Sequence, residues 1–169
     1  STTMVELGGV PHFVGASETH DQTSFLFSPP SWERTVLWDR HSGVMYMVQV
    51  PGSDRILSIT DFYPIFKSAD ANIYELKKQG AYTEPWSARK VLSVPYVHRI
   101  GVVKGADKHY LLCCALCESK EFQDDWSKPG SLFIAPIGSD DEAPLPMEKI
   151  YPGLTKNHGL CIVNESMAY

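Results

Sequence analysis

Three observations predict an all-β chain. Short β-branched and aromatic runs recur from end to end: "SFLF", "RTVLW", "VMYMVQV", "RILSI", "ANIYEL", "KVLSV", "HRIGVV", "HYLLCCAL" and "SLFIAPI". Gly, Pro, Ser or Asp stands at the breaks between them, as turns require. Twelve prolines and twelve glycines spread over 169 residues leave no room for long helices.

Taken in order, "TMVELGG" reads as an outer strand that completes the final blade and "PHFVGA" from Pro11 as the first inner strand. "SFLF", "RTVLW" and "VMYMVQV" follow it. "ILSITDF" from Ile56 opens a second unit, continued by a strand in the 63–67 region, "ANIYEL" and "KVLSV". Ile73 and Leu76 sit at helical spacing, but the surrounding rhythm makes this segment a strand that ends in a turn at Lys78-Gln79-Gly80. "HRIGVV" from His98, "HYLLCCAL", "SLFIAPI" and "MEKIY" form the clearest unit, and "HGLCIV" from His158 begins another. The four inner-strand starts lie about 40–60 residues apart, the period of a four-stranded propeller blade. The expectation is one β-propeller segment with blades at about 10–50, 51–94 and 95–151 and the start of a further one from 156. Because rings use about 4–8 blades, a second chain, self-association or a longer chain is expected to complete it.

Composition narrows the function. A net charge of −5 and the lack of any Lys/Arg block exclude a nucleic-acid partner. No apolar stretch approaches the roughly 20 residues of a membrane span, and "STTMVELGG" lacks the regions of a signal peptide, so a cytoplasmic location is expected. "LLCCALC" holds a Cys114-x-x-Cys117 pair, but zinc sites need a second pair and only Cys161 remains beyond this run. Buried free thiols are the expectation.

Histidines stand at or just before the entrance of three of the four proposed inner strands: His12, His98 and His158. Inner strands of a propeller converge on the axis, so imidazoles from separate blades would gather there. Neutral imidazole is the commonest ligand of divalent transition metals, which makes these three a candidate site for a divalent metal ion. The alternative is that each bonds neighbouring backbone and seals the funnel. Arg99, by strand alternation, points toward the adjacent blade, to pair with a carboxylate or orient a substrate oxygen. Asp61 and Tyr63 in "ITDFYPIF" are candidates for proton transfer, with His98 beside them, or else make a turn with an aromatic plug. "CESKEFQDDWSKPG" sets Glu118, Glu121, Asp124 and Asp125 next to Trp126. Carboxylates for hydroxyls and an indole for a sugar's apolar side suit a carbohydrate; a solvated loop anchored by Trp126 is the other reading. Arg99, Asn157 and Trp126 are the expected substrate-binding side chains. His20, His41 and His109 are expected to be solvated.

The run 95–137, with its inner strand opening on His98-Arg99, its Gly/Asp turn and its "WSKPG" loop, resembles a blade of the FG-GAP/VCBS-type β-propellers. It is similar in particular to the propeller of aldos-2-ulose dehydratases. "KGADKH" departs from the calcium-binding turn of many such blades, supplying one carboxylate, Asp107. The resemblance implies a metal-assisted sugar lyase acting on a keto-sugar: a metal polarises the keto oxygen, a base removes the α-proton and an acid assists loss of the β-hydroxyl. The alternative is a non-catalytic propeller that binds a glycan or a protein.

Overall fold

The computed structural model describes residues 1–63, 68–138, 144–164 and 167–168, the last two by backbone alone. The described chain is all-β, without a helix. The first sheet contains β1 (Thr2–Leu7), β2 (Val10–Ala16), β3 (Ser24–Ser28) and β4 (Glu33–Trp38). The second contains β5 (Tyr46–Gln49), β6 (Arg55–Thr60), β7 (Asn72–Lys77) and β8 (Ser87–Ser93). The third contains β9 (Val97–Lys104), β10 (His109–Ala115), β11 (Gly130–Pro136) and β12 (Glu148–Leu154). Each is an antiparallel meander in which consecutive strands pair. A two-stranded sheet of β13 (Ile162–Asn164) and β14 (Met167–Ala168) follows.

The sheets stack face to face. Val5, Leu7, Val14, Leu26 and Leu37 of the first meet Met47, Ile56 and Leu76 of the second, with Trp86 beside them. The second sheet's other face offers Leu57, Ile59, Ile73 and Val91 to Ile100, Val102, Leu111 and Cys113 of the third. Strand β6 therefore faces a core on both sides, and "RILSIT" is buried from Ile56 to Thr60, with Ser58 and Thr60 included. That doubly buried run looks like the start of a unit, and here the structure corrects the sequence reading. β6 is the second strand of its sheet, and "PHFVGA" is likewise the second strand, β2. "TMVELGG" is no outer strand of a last unit; β1 opens the first sheet and pairs with β2 from Thr2↔Gly15 to Leu7↔Val10. The sheets run 2–38, 46–93 and 97–154, so the reading placed the first two units one strand late. The third unit has the expected four strands, and 72–77 is a strand as expected. Residues 64–67, where an extra strand was expected, lie outside the described residues; β6 pairs directly with β7.

Gly130 fixes how the 116–129 loop meets β11. A Cβ there would stand 2.0 Å from the Ala115 carbonyl oxygen and 2.8 Å from the Cys117 nitrogen. Both are backbone atoms and cannot give way. Gly130→Ala is expected to destabilise the fold by at least the ~1–3 kcal/mol typical of overpacking, read as a lower urea midpoint; an unchanged midpoint would refute this close approach.

Candidate binding site

Hydrogen bonds along one end of the stack show that β1, β5 and β9 all begin there. Ala16 N donates to Ser1 O, Val44 N to Ser17 O, Phe62 N to Gly43 O and Tyr96 N to Ser68 O. Leu116 N then donates to Tyr96 O, and Lys156 N to Leu116 O. The loops before the first strands and those after the second are thus laced together, and a cavity of about 280 Å³ opens among them. Phe62, Tyr63, Tyr96 and Trp126 give it rings; Ser68, Lys120, Gln123, Asp124, His98 and His158 give it polar groups.

His98 sits at its wall. The chain turns tightly into β9, with Val97 N bonded to Val94 O at 3.2 Å and Tyr96 at φ 56°, so the second residue of the strand faces the loops. Its imidazole is buried, with Phe62 edge-on at 5.5 Å and the His158 ring at 4.4 Å. Arg99 Nη1 donates to His98 Nδ1 at 3.1 Å and to the His98 carbonyl at 2.8 Å, and the guanidinium lies 5.1 Å from the Tyr46 ring centre. A guanidinium only donates, so Nδ1 carries a lone pair. The ring also hydrogen-bonds the His158 backbone. Burial, then the charges of Arg99 and His158, lower its pKa from 6.5 to about 4. The imidazole is neutral at pH 7 and joins the third sheet to the segment that follows it.

The acidic loop is built around one of its own carboxylates. Asp125, buried, accepts from Glu121 N at 3.0 Å, Ser127 N at 3.0 Å and Ser127 Oγ at 2.6 Å. These bonds, that of the Ser127 hydroxyl first, hold its carboxyl down to about 2. Glu118 N bonds Lys128 O at 3.0 Å and closes the loop. Glu118, Glu121 and Asp124 are exposed. Trp126 is half-buried, and its ring carries two cations: Lys120 Nζ is 3.2 Å from its centre and Lys156 Nζ 4.8 Å.

A second cavity adjoins the first across Tyr63, with His41, Asp61, Asp70 and Asn72 around it. Asp61, at φ 57°, accepts from Thr60 Oγ1 and Asn72 Nδ2, each at 3.0 Å. Tyr63 Oη and Ser42 Oγ share a hydrogen bond of 2.6 Å, and His20 stacks on the Tyr63 ring at 4.7 Å. His41 packs against Trp38 and Tyr74, at 4.9 and 4.2 Å. Of the histidines expected to be solvated, His20 is exposed but stacked, while His41 and His109 are half-buried.

His12 does not join His98 and His158. It starts β2, which runs antiparallel to β1, so its entrance lies at the opposite end of the stack. There it is buried beside Tyr82, rings 5.5 Å apart, with Nδ1–H donating to Val10 O at 2.9 Å, in a separate cavity with Glu33. Among the described residues no three His, Cys, Asp or Glu side chains are placed to hold a metal ion. His98 and His158 remain as a pair, and a guanidinium occupies His98 Nδ1, where a divalent cation would be repelled. The expected three-histidine metal site does not fit these residues. Asn157 is hydrogen-bonded to the Cys114 thiol and ties the last segment to β10 instead of lining the cavity. Cys113, Cys114 and Cys117 are buried free thiols, and Cys161 is free and exposed. Phe62 belongs to the aromatic plug read from "ITDFYPIF"; sequence reasoning missed Tyr96 and the two lysines on Trp126, which no spacing signals.

No protein-family model and no curated protein matches the chain. No helix among the described residues is long and apolar enough to cross a membrane.

The lowered pKa of His98 fixes the sign of one pH effect. Its contribution is full above the unfolded value near 6.5 and is lost as pH falls toward about 4, because the unfolded chain binds the proton first. Urea unfolding should show a loss on the order of 1–2 kcal/mol over that window, after allowance for screening, that His98→Gln lacks. Parallel pH profiles for the two proteins would contradict it.

Proposed function

We propose that the three sheets are blades of a β-propeller segment and that the end where β1, β5 and β9 begin binds a saccharide. The observation that carries the reading is the mixed lining of one cavity: the Phe62, Tyr63, Tyr96 and Trp126 rings interleaved with Ser68, Gln123, Asp124 and Lys120. Hydroxyl-rich ligands ask for such alternation, since each sugar has apolar C–H faces and polar edges. The propeller reading is supported by three successive meanders stacked in one sense, and by β13 contacting β9 as β9 contacts β5 and β5 contacts β1. It is supported too by the first sheet's outer face, where Met4, Phe13 and Val36 are exposed. A further sheet, from a longer chain or a second copy, would cover them.

The resemblance to FG-GAP/VCBS-type propellers agrees with this architecture but does not bring the aldos-2-ulose dehydratase activity with it, because propellers host many functions. Recognition is favoured over dehydration by how the proton-transfer candidates are engaged. His98 Nδ1 accepts from Arg99, Asp61 from Thr60 and Asn72, and Tyr63 Oη is paired with Ser42.

Calorimetric titration with a panel of mono- and oligosaccharides, beside an ultraviolet assay for enone formation from a keto-sugar, tests the reading. Binding without turnover is expected, with affinity falling at least tenfold in Trp126→Ala or, should that variant not fold, in the exposed Gln123→Ala. Turnover lost in Tyr63→Phe would establish the dehydratase instead; no binding of any saccharide would refute both.

A further inference from the structure

We propose that the saccharide taken by this cavity is acidic, carrying a carboxylate or phosphate that the two ammonium groups on Trp126 receive. The inference rests on the saccharide-binding reading above and deepens it.

An indole in a sugar site ordinarily offers its face to the sugar's C–H groups. Here Lys120 Nζ is 3.2 Å from the ring centre and Lys156 Nζ 4.8 Å, drawn by the negative charge of the π face. Lys120 is also anchored by donating to Gln123 O at 2.7 Å. A neutral sugar stacking on a face that an ammonium covers has to displace it. An anionic group adds to what is already assembled, accepting from donors whose positions are set before it arrives.

The two lysines need a counter-charge. The ion pairs of the described residues are Ser1–Glu18, Arg55–Glu75, Arg89–Glu75, Lys78–Asp54 and Lys108–Asp107. Neither Lys120 nor Lys156 belongs to one. Asp125, the buried carboxylate of the same loop, spends its oxygens on Glu121 N, Ser127 N and Ser127 Oγ. Asp124 lines the cavity but is exposed to water. Two like charges held around one ring repel each other, and a bound anion removes that repulsion.

The test pairs ligands that differ only in charge: methyl β-D-glucuronide against methyl β-D-glucoside, with the galacto pair alongside, followed by calorimetry and Trp fluorescence. The glucuronide or its galacto counterpart should bind at least tenfold more tightly than the neutral partner. That advantage should shrink to about twofold or less in Lys120→Gln/Lys156→Gln and weaken as sodium chloride is raised. Glucose 6-phosphate and inorganic phosphate are the further arms. Tight binding of the sugar phosphate, with the same loss in the double variant, keeps the proposal and makes phosphate the charged group. Equal affinity for charged and neutral sugars would overturn the charge inference while leaving saccharide binding intact. Inorganic phosphate binding as well as any acidic sugar would overturn it by making the ligand a bare anion. Failure of every sugar would overturn the underlying reading with it.

Discussion

A neutral imidazole held between a guanidinium and the following segment is the constraint on which the candidate site depends. His98 belongs to the third sheet, His158 to the chain that leaves it, and the rings meet edge-on at 4.4 Å, with the Phe62 ring, from the connection that follows β6, 5.5 Å from His98. Three stretches of chain distant in sequence are therefore fixed at one point. Burial first, and then the charge of Arg99, keep the ring neutral, and the donation of Arg99 to Nδ1 is possible only while that nitrogen is unprotonated. The cavity wall is set by this clasp, and the loop that bears Trp126 closes over it through Lys156 N on Leu116 O.

The rest of the site follows from chain direction. A meander alternates strand direction, so first-to-second and third-to-fourth turns lie at one end, second-to-third turns and inter-sheet crossings at the other. Phe62, Tyr96, Leu116 and His158 are all on the crossing side, which gives one shared cavity. His12 follows the Gly8-Gly9 turn between β1 and β2 and is carried to the far end. Two residues of one type at equally marked strand entrances thus end in unrelated surroundings.

This contrast marks what was legible. The all-β class, the strands of the third sheet and the buried thiols were readable because turn residues bracket each apolar run and Cys113 and Cys114 fall inside one. The phase of the first two sheets was not, because β6 is apolar on both faces and periodicity cannot say which neighbour in a stack a strand serves. The nearness of His98 to His158 was readable from recurrence; the remoteness of His12 follows from β1, which precedes β2 in the same sheet instead of completing a final blade. Asp125 and Trp126 stood out as an acidic and aromatic loop, yet Asp125 holds the loop together and Trp126 is covered by lysines. Sequence registers the presence of such groups but not which of them spend their valences on each other.

The most direct measurement of the clasp is nitrogen NMR of the His98 ring across a pH titration, assigned with a His98→Gln variant. Unprotonated Nδ1, protonated Nε2 and a midpoint near 4 are the expected signature. A ring that titrates near 6.5, or that carries its proton on Nδ1, would contradict it.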